Sequence, residues 1–268
     1  RLFRITTDWT SKVKKIILEN KKAIGVTLEN NTSIYSRTIV SNATRWDTFG
    51  GEGINAPLIE SSQIPKSETK WRKRYKPSPS FISLHLGVNK DVIPSKTHCH
   101  HLLLDNWNEM EKEQGVVFVS IPTLLDPTLA PPENHIVHAF TPSSMECWDD
   151  LTNTEYLAKK KIDGDRLIAK LENLFPGLSK NITHKEIGSP KTHKRFLSRN
   201  NGSYGPIPLM RLPGLLPMPF NSTNIKDLYC VGDSCFPGQG LNAVAFSGYA
   251  CAHLIGSKLG MNKWELPK

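Results

Sequence analysis

The chain has 268 residues, with 34 Lys and Arg against 25 Asp and Glu, a formal net charge of +9. Hydrophobic residues at 38%, aromatics at 8% and charged residues at 22% supply a core for one large or two modest domains, which excludes collagenous, coiled-coil and wholly disordered chains. The basic balance points to an acidic partner or surface.

Five cysteines, Cys99, Cys147, Cys230, Cys235 and Cys251, cannot all pair and match no disulfide framework, which indicates a reducing compartment. The start, Arg1-Leu2-Phe3-Arg4-Ile5, has no apolar signal core, so the expectation is that nothing in it directs membrane insertion or export. No apolar run reaches the roughly 18 residues of a spanning helix. The best candidate, residues 241–255, is interrupted by Asn242, Ser247, Gly248 and His253 and reads as a buried helix.

In chain order, Val13, Ile16, Ile17, Ala23 to Leu28, Ile34 and Thr38 to Val40 alternate in the manner of strands. Asn-rich turns separate them, which predicts a β-meander. Its last strand, residues 37–40, runs into the small residues Ser41-Asn42-Ala43-Thr44, where a backbone can approach another group closely. From Thr48 to about Pro79 the pattern is polar and turn-rich, with a basic stretch from Lys70 to Lys76 holding Trp71 and Tyr75.

Strands are predicted at residues 80–88, 100–104, 116–121 and 135–141, the last before Pro142. A helix follows from Asn153 to Leu174, with Leu157, Ile162, Leu167, Ile168, Leu171 and Leu174 on one face. Pro176-Gly177 stops it, and Gly164 weakens its middle. Ser189-Pro190 resembles a second helix start. Residues 200–220 read as loop, ending in an apolar run from Gly214 to Phe220.

The segment Leu228 to Ala243 carries the strongest chemical signal: a short apolar strand ends in Gly232-Asp233, a glycine-rich turn holds Gly238 and Gly240, and an apolar helix begins. Strand, turn and helix N-terminus bring free N–H donors and the helix dipole together, a site for anionic groups. Gly238-x-Gly240-x-x-Ala243 satisfies the nicotinamide-type fingerprint as a string. That fingerprint needs a following strand with an acidic residue, and none follows. Two readings stay open: the closing half of a flavin site, with Asp233 on the ribitol hydroxyls and the N–H groups of Gly240 to Ala243 at the ring's pyrimidine edge, or a capped helix with Asp233 as a local cap.

His98-Cys99-His100-His101 with His85 suggests metal ligation. Strand neighbours point to opposite faces and no C-x-x-C completes a site, so no metal is expected. The basic stretch reads first as a solvated face, ahead of an anionic membrane surface and of nucleic acid.

Four segments resemble the carotenoid (prolycopene) isomerases of plastids and cyanobacteria, within the wider phytoene-desaturase-like flavoproteins. They are Ser41-Asn42-Ala43-Thr44-Arg45-Trp46-Asp47-Thr48-Phe49, Pro190-Lys191-Thr192-His193, Tyr204-Gly205-Pro206, and Val231 to Gly240 with Ala243-Val244-Ala245-Phe246-Ser247-Gly248. The resemblance implies an α/β fold, the C-terminal part of a two-domain, Rossmann-like FAD-binding flavoprotein with a mixed-sheet substrate domain. Residues 1–47 and 222–268 would belong to the FAD-binding domain and 48–221 to the substrate domain. The family's Gly-x-Gly-x-x-Gly turn is not in this sequence, so the N-terminal half of the flavoprotein is an expected missing partner.

The implied activity is FAD-dependent conversion of poly-cis lycopene to the all-trans form, in the plastid and peripheral to its membrane, with no nucleic-acid partner. A polyene desaturase or saturase, and a flavin-free remnant acting as scaffold or accessory subunit, are the competing readings. On the resemblance, Val13 meets the adenine, Ser41, Asn42 and Ala43 lie near the cofactor, and Gly232, Asp233, Gly238, Gly240, Leu241, Asn242 and Ala243 form the flavin end. Leu241-Asn242 stands where the family usually has Val-Ile. Cys99-His100-His101 falls near the substrate channel, with His100 and His101 as acid–base candidates by residue type.

Overall fold

A computed structural model describes residues 7–51, 56–209 and 218–261. Its strands are β1 (Val13–Glu19), β2 (Lys22–Leu28), β3 (Ser33–Tyr35), β4 (Ile39–Ser41), β5 (Tyr75–Pro77), β6 (Ser80–Asn89), β7 (His100–Leu104), β8 (Val116–Ser120), β9 (Asn134–Ser143), β10 (Ile182–Gly188), β11 (Pro206–Pro208) and β12 (Leu228–Cys230). The α-helices are α1 (Arg45–Phe49), α2 (Lys66–Arg72), α3 (Asn153–Leu174), α4 (Pro190–Leu197) and α5 (Leu241–Lys258). Two compact units result, one from residues up to 78 and from 204 onward, the other from 79–203. The domains expected from the resemblance break at 47/48 and 221/222, whereas contacts place the breaks at 78/79 and 203/204. The difference arises because β5 pairs with β11 and α2 is tied to α1, which keeps both segments in the first unit.

In the second unit an antiparallel sheet runs in the order β10-β6-β9-β8-β7. Alternate residues Ile82, Leu84, Leu86, Val117, Val119, Val137 and Ala139 pack with Trp148 and with Leu167, Ile168 and Leu171 of α3. Each large side chain so buried contributes about 1.5–3 kcal/mol. The strands predicted here are found within two residues, though β9 continues through Pro142, which sits opposite Phe81 near the strand end.

Helix α3 has the bounds predicted for it, opened by a Thr152/Glu155 capping box and followed by Gly177 in the left-handed region. Its buried face differs from the expected one: Leu157 and Ile162 are exposed, and Asp163 and Gly164 are buried with Leu167, Ile168 and Leu171. Gly164 is a close-approach point, since a Cβ there would lie 2.3 Å from Ile187 Cδ1 of β10.

In the first unit β1, β2 and β3 form the meander, with Asn20, Lys21 and Asn31 taking the positive φ of its turns. Strand β4 does not close it. Instead β4 pairs in parallel with β12, in the register Ile39↔Leu228, Val40↔Tyr229 and Ser41↔Cys230. Helix α5 also departs from expectation, burying only Ser247, Cys251 and Gly256 while Leu241, Phe246 and Tyr249 are exposed. Its packed side is the one held to β12 through Ser247; the rest stays open among the described residues. No helix among them is long and apolar enough to cross a membrane. The apolar run beginning at Gly214 lies, as far as Pro217, outside the described residues.

Candidate functional site

Parallel strands β4 and β12 end side by side, β4 leading through a short turn into α1 and β12 through the glycine-rich loop of residues 231–240 into α5. The backbone N–H of Val231 donates to Ser41 O at 2.9 Å, which extends the pairing one residue past the strands. Gly232 then turns with φ of +96°. A Cβ at Gly232 would lie 2.6 Å from Asn42 Oδ1, so the Asn42 side chain lies directly against the Gly232 turn. Ser41 and Asp233 are buried here, whereas Asn42 is exposed.

Helix α5 begins at Gly240, whose φ is +103° and whose N-cap position carries no side-chain hydrogen bond. A Cβ at Gly240 would meet nothing within 4 Å. Leu241, Asn242 and the N-cap glycine are all exposed. An N-terminus built in this way leaves backbone donors and the positive dipole end accessible to an electron-rich group.

Behind the crevice, the backbone N–H of Arg45 in α1 donates to Ser234 Oγ at 3.1 Å. The buried guanidinium donates to both Glu68 oxygens, Nε at 3.0 Å and Nη2 at 2.6 Å, and Nη1 donates to Phe220 O and Cys235 Sγ. Burial works against its charge, but the bonds to Glu68 more than offset this and raise its pKa. Asn221 Nδ2 donates to Cys230 O at 2.9 Å and to Ser247 Oγ at 3.0 Å, which locks α5 to β12. Burial pushes Cys235 up to about 11 and Cys230 higher still, so both thiols stay protonated and serve as small core groups.

The second unit presents a different surface. Opposite the face that packs on α3, register aligns His100, Ser120, His138, His85 and Glu186 in one row and Leu102, Phe118, Phe140 and Ser83 in the next. Phe118 stacks on Phe140 at 4.9 Å and 9°, and His85 on His138 at 4.4 Å and 14°. Phe81 meets Phe140 edge-on at 5.1 Å. Burial, with the neighbouring His85, holds His138 and His193 below the usual histidine range, so these rings are neutral near pH 7. The result is a ladder of stacked rings on a half-exposed sheet.

The two histidine candidates part company on β7. His100 joins the ladder face, with Nδ1 3.0 Å from Ser120 Oγ. His101 turns to the α3 side, where Nε2 lies 2.9 Å from His98 O and the ring meets Phe175 edge-on. The sequence does not single out His85 and His138 as ladder residues, although the two-residue spacing of His138 and Phe140 along β9 carries the signal. Among the described contacts none joins Val13, at the start of β1, to the β4–β12 crevice. In the basic stretch, Trp71 packs between Trp46 and Tyr75 at 5.0 Å from each, which leaves Lys70, Lys73, Arg74 and Lys76 as a solvated face. No group of three metal-ligating side chains occurs among the described residues.

No protein-family model matches the chain. It is 51% identical over 258 residues to a chloroplastic prolycopene isomerase of Daucus carota and to one of Arabidopsis thaliana, across 96% of this chain. The chain is a homologue of the prolycopene isomerases. It spans about two fifths of these relatives' length, 41% and 42%. A lycopene-forming phytoene desaturase of a Paracoccus strain is 25% identical over 93% of the chain and half of its own length. Among solved structures, an oxidoreductase from Methanosarcina mazei superposes on this prolycopene isomerase homologue with a TM-score of 0.56 at 21% identity, covering 91% of this chain and 49% of the other. The α/β fold is thus shared with about half of that larger chain.

Proposed function

We propose that the chain is the C-terminal part of an FAD-dependent carotenoid isomerase that converts a poly-cis lycopene to the all-trans form at a plastid membrane. The observation that carries this is the exposed α5 N-terminus, opened by Gly240, beside the β4–β12 crevice in a homologue of the prolycopene isomerases. Ser41, Asn42, Ala43, Gly232 and Asp233 would hold the ribitol side of FAD, and Gly238 and Gly240 to Ala243 its pyrimidine edge. Val13 would meet the adenine, as the family resemblance implies. The close Gly232–Asn42 approach and the open space at Gly240 fit a group that lies against backbone. When bound, FAD supplies reversible electron donation to a conjugated chain, lowering double-bond character long enough for rotation.

The protein's own groups have separable tasks in this reading. The helix N-terminus stabilises negative charge at the crevice. Arg45, through Ser234 and Cys235, fixes the loop that carries Asp233. The ladder of Phe81, Phe118, Phe140 and His138 offers a flat, uncharged surface on which a polyene stacks, each ring contact being worth about 0.5–1.5 kcal/mol. His100, bonded to Ser120 on that face, is the acid–base candidate of the two, because His101 is committed to the core side.

The test uses the purified chain supplied with FAD. Flavin bands at about 450 nm after gel filtration, and all-trans product from poly-cis lycopene only once the flavin is reduced, are the expected results. Protein that never retains flavin overturns the reading for this chain alone and leaves the scaffold alternative. The similarity to a phytoene desaturase supports a second reading, a desaturase; turnover that requires a stoichiometric electron acceptor and lengthens the conjugated system decides for it.

A further inference from the structure

The first turns of α3 and α4 border a cavity of about 570 Å³ whose walls are Leu151, Tyr156 and Phe196 and whose polar lining includes Lys160, Lys191 and Arg195. Tyr156 anchors it. Its hydroxyl lies 3.0 Å from Ser189 Oγ, and the Lys160 and Lys191 ammonium groups lie 5.8 and 5.7 Å from its ring centroid. Neighbouring Lys159 and Lys161 are paired with Asp163 and Asp165. By contrast, no carboxylate lines the cavity, and Lys160, Lys191 and Arg195 form no ion pair among the described residues, Lys191 Nζ donating instead to the backbone carbonyl of Asp149 at 3.2 Å. Three cations thus converge on an aromatic wall without a counter-charge.

Helix α4 adds an apolar edge to this charge. It ends in Lys194-Arg195-Phe196-Leu197, with Phe196 74% and Leu197 49% exposed. A free phosphate would use the cations and leave that edge in water. An amphiphile uses both, its headgroup among the lysines and its chain along Phe196 and Leu197, the arrangement of interfacial helices that bind anionic bilayers. We propose that this cavity is a headgroup site for an anionic membrane lipid and that α4 is the element by which the second unit sits on the bilayer. The proposal gives the membrane contact of the proposed function a place, but it is read from α3 and α4 alone and stands or falls apart from the flavin.

The experiment is flotation of the full chain with vesicles of phosphatidylcholine alone or with roughly a third phosphatidylglycerol, at low and high salt. Binding is expected to the anionic vesicles only, and to weaken with salt. Replacing Lys191→Gln and Arg195→Gln together should lower affinity by roughly fivefold per cation, and Phe196→Ser with Leu197→Ser should also release the protein. Lys70→Gln with Lys73→Gln should change little. Circular dichroism melts confirm that each variant folds, and retained flavin absorbance in a variant that no longer floats separates this proposal from the proposed function. Equal binding to neutral vesicles, or dependence on Lys70 and Lys73 instead, overturns it. So does saturable binding of millimolar inorganic phosphate, followed by titration calorimetry and lost in Lys191→Gln with Arg195→Gln, in protein that ignores vesicles.

Discussion

The crevice at the ends of β4 and β12 is made of backbone and small side chains, whereas the open face of the five-stranded sheet is made of rings. At the first, Gly232 and Gly240 leave room for a ligand to touch the main chain, and specificity comes from where N–H groups point. At the second, Phe81, Phe118, Phe140 and His138 offer area with little direction. A surface of the first kind is limited by backbone conformation, since Gly232 and Gly240 both hold positive φ, and its charge is fixed by helix geometry. One of the second kind tolerates changes of shape but is sensitive to protonation.

The largest effect should come from undoing the clamp behind the crevice. Glu68→Ala leaves the Arg45 guanidinium buried without its bidentate partner, and should destabilise the first unit by about 3–5 kcal/mol. Chemical denaturation followed through the adjoining Trp46 and Trp71 measures it. Arg45→Met with Glu68→Leu should be far milder, because no charge is then stranded; equal losses in the two would show that packing rather than charge dominates.

A smaller effect is expected inside the crevice. Gly232→Ala places a Cβ at a φ of +96° and against Asn42 Oδ1, a backbone penalty of about 1–2 kcal/mol. Flavin affinity should fall by more than this stability loss, because the Asn42 side chain must swing away from its place beside the crevice. A variant that loses stability but binds flavin normally would separate the crevice from the cofactor.

The smallest effect belongs to the ladder and comes from pH. Burial first, then His85, holds His138 and His193 below the ordinary value of 6.5. Their folded pKa values are depressed, so the unfolded chain takes up protons that the folded one refuses as pH drops below about 6.5. The second unit should therefore keep its full stability above that pH and lose it progressively as pH falls through the folded values. Denaturation midpoints at about pH 7.5 and about pH 5.5 should differ less in His138→Gln than in the parent.

Much of this was legible where the signal is local. Asn20, Asn31 and Gly177 mark turns because they take positive φ, and Thr152 with Glu155 opens α3 at the predicted residue. Alternation along β7 is enough to send His100 and His101 to opposite faces. Short polar elements such as α2, β5 and β10 were missed, because a seven-residue helix or a half-exposed strand carries little periodicity. The face of α3 was misjudged for a related reason: Leu157 and Ile162 satisfy the spacing, but β10 packs across Gly164 and draws the buried stripe to that side.

By itself, then, the sequence determined the turns, the strand–glycine–helix segment from Leu228 to Ala243, and a family resemblance spread along the chain. Tertiary structure alone decided that β4 leaves the meander for β12, that Arg45 is sealed against Glu68, that four strands align His100, Ser120, His138 and His85, and that three unpaired cations meet at α3 and α4. The physical reason is range. Periodicity and backbone preference act over a few residues, while strand partners, register and the pairing of buried charges are set by which distant surfaces exclude water together.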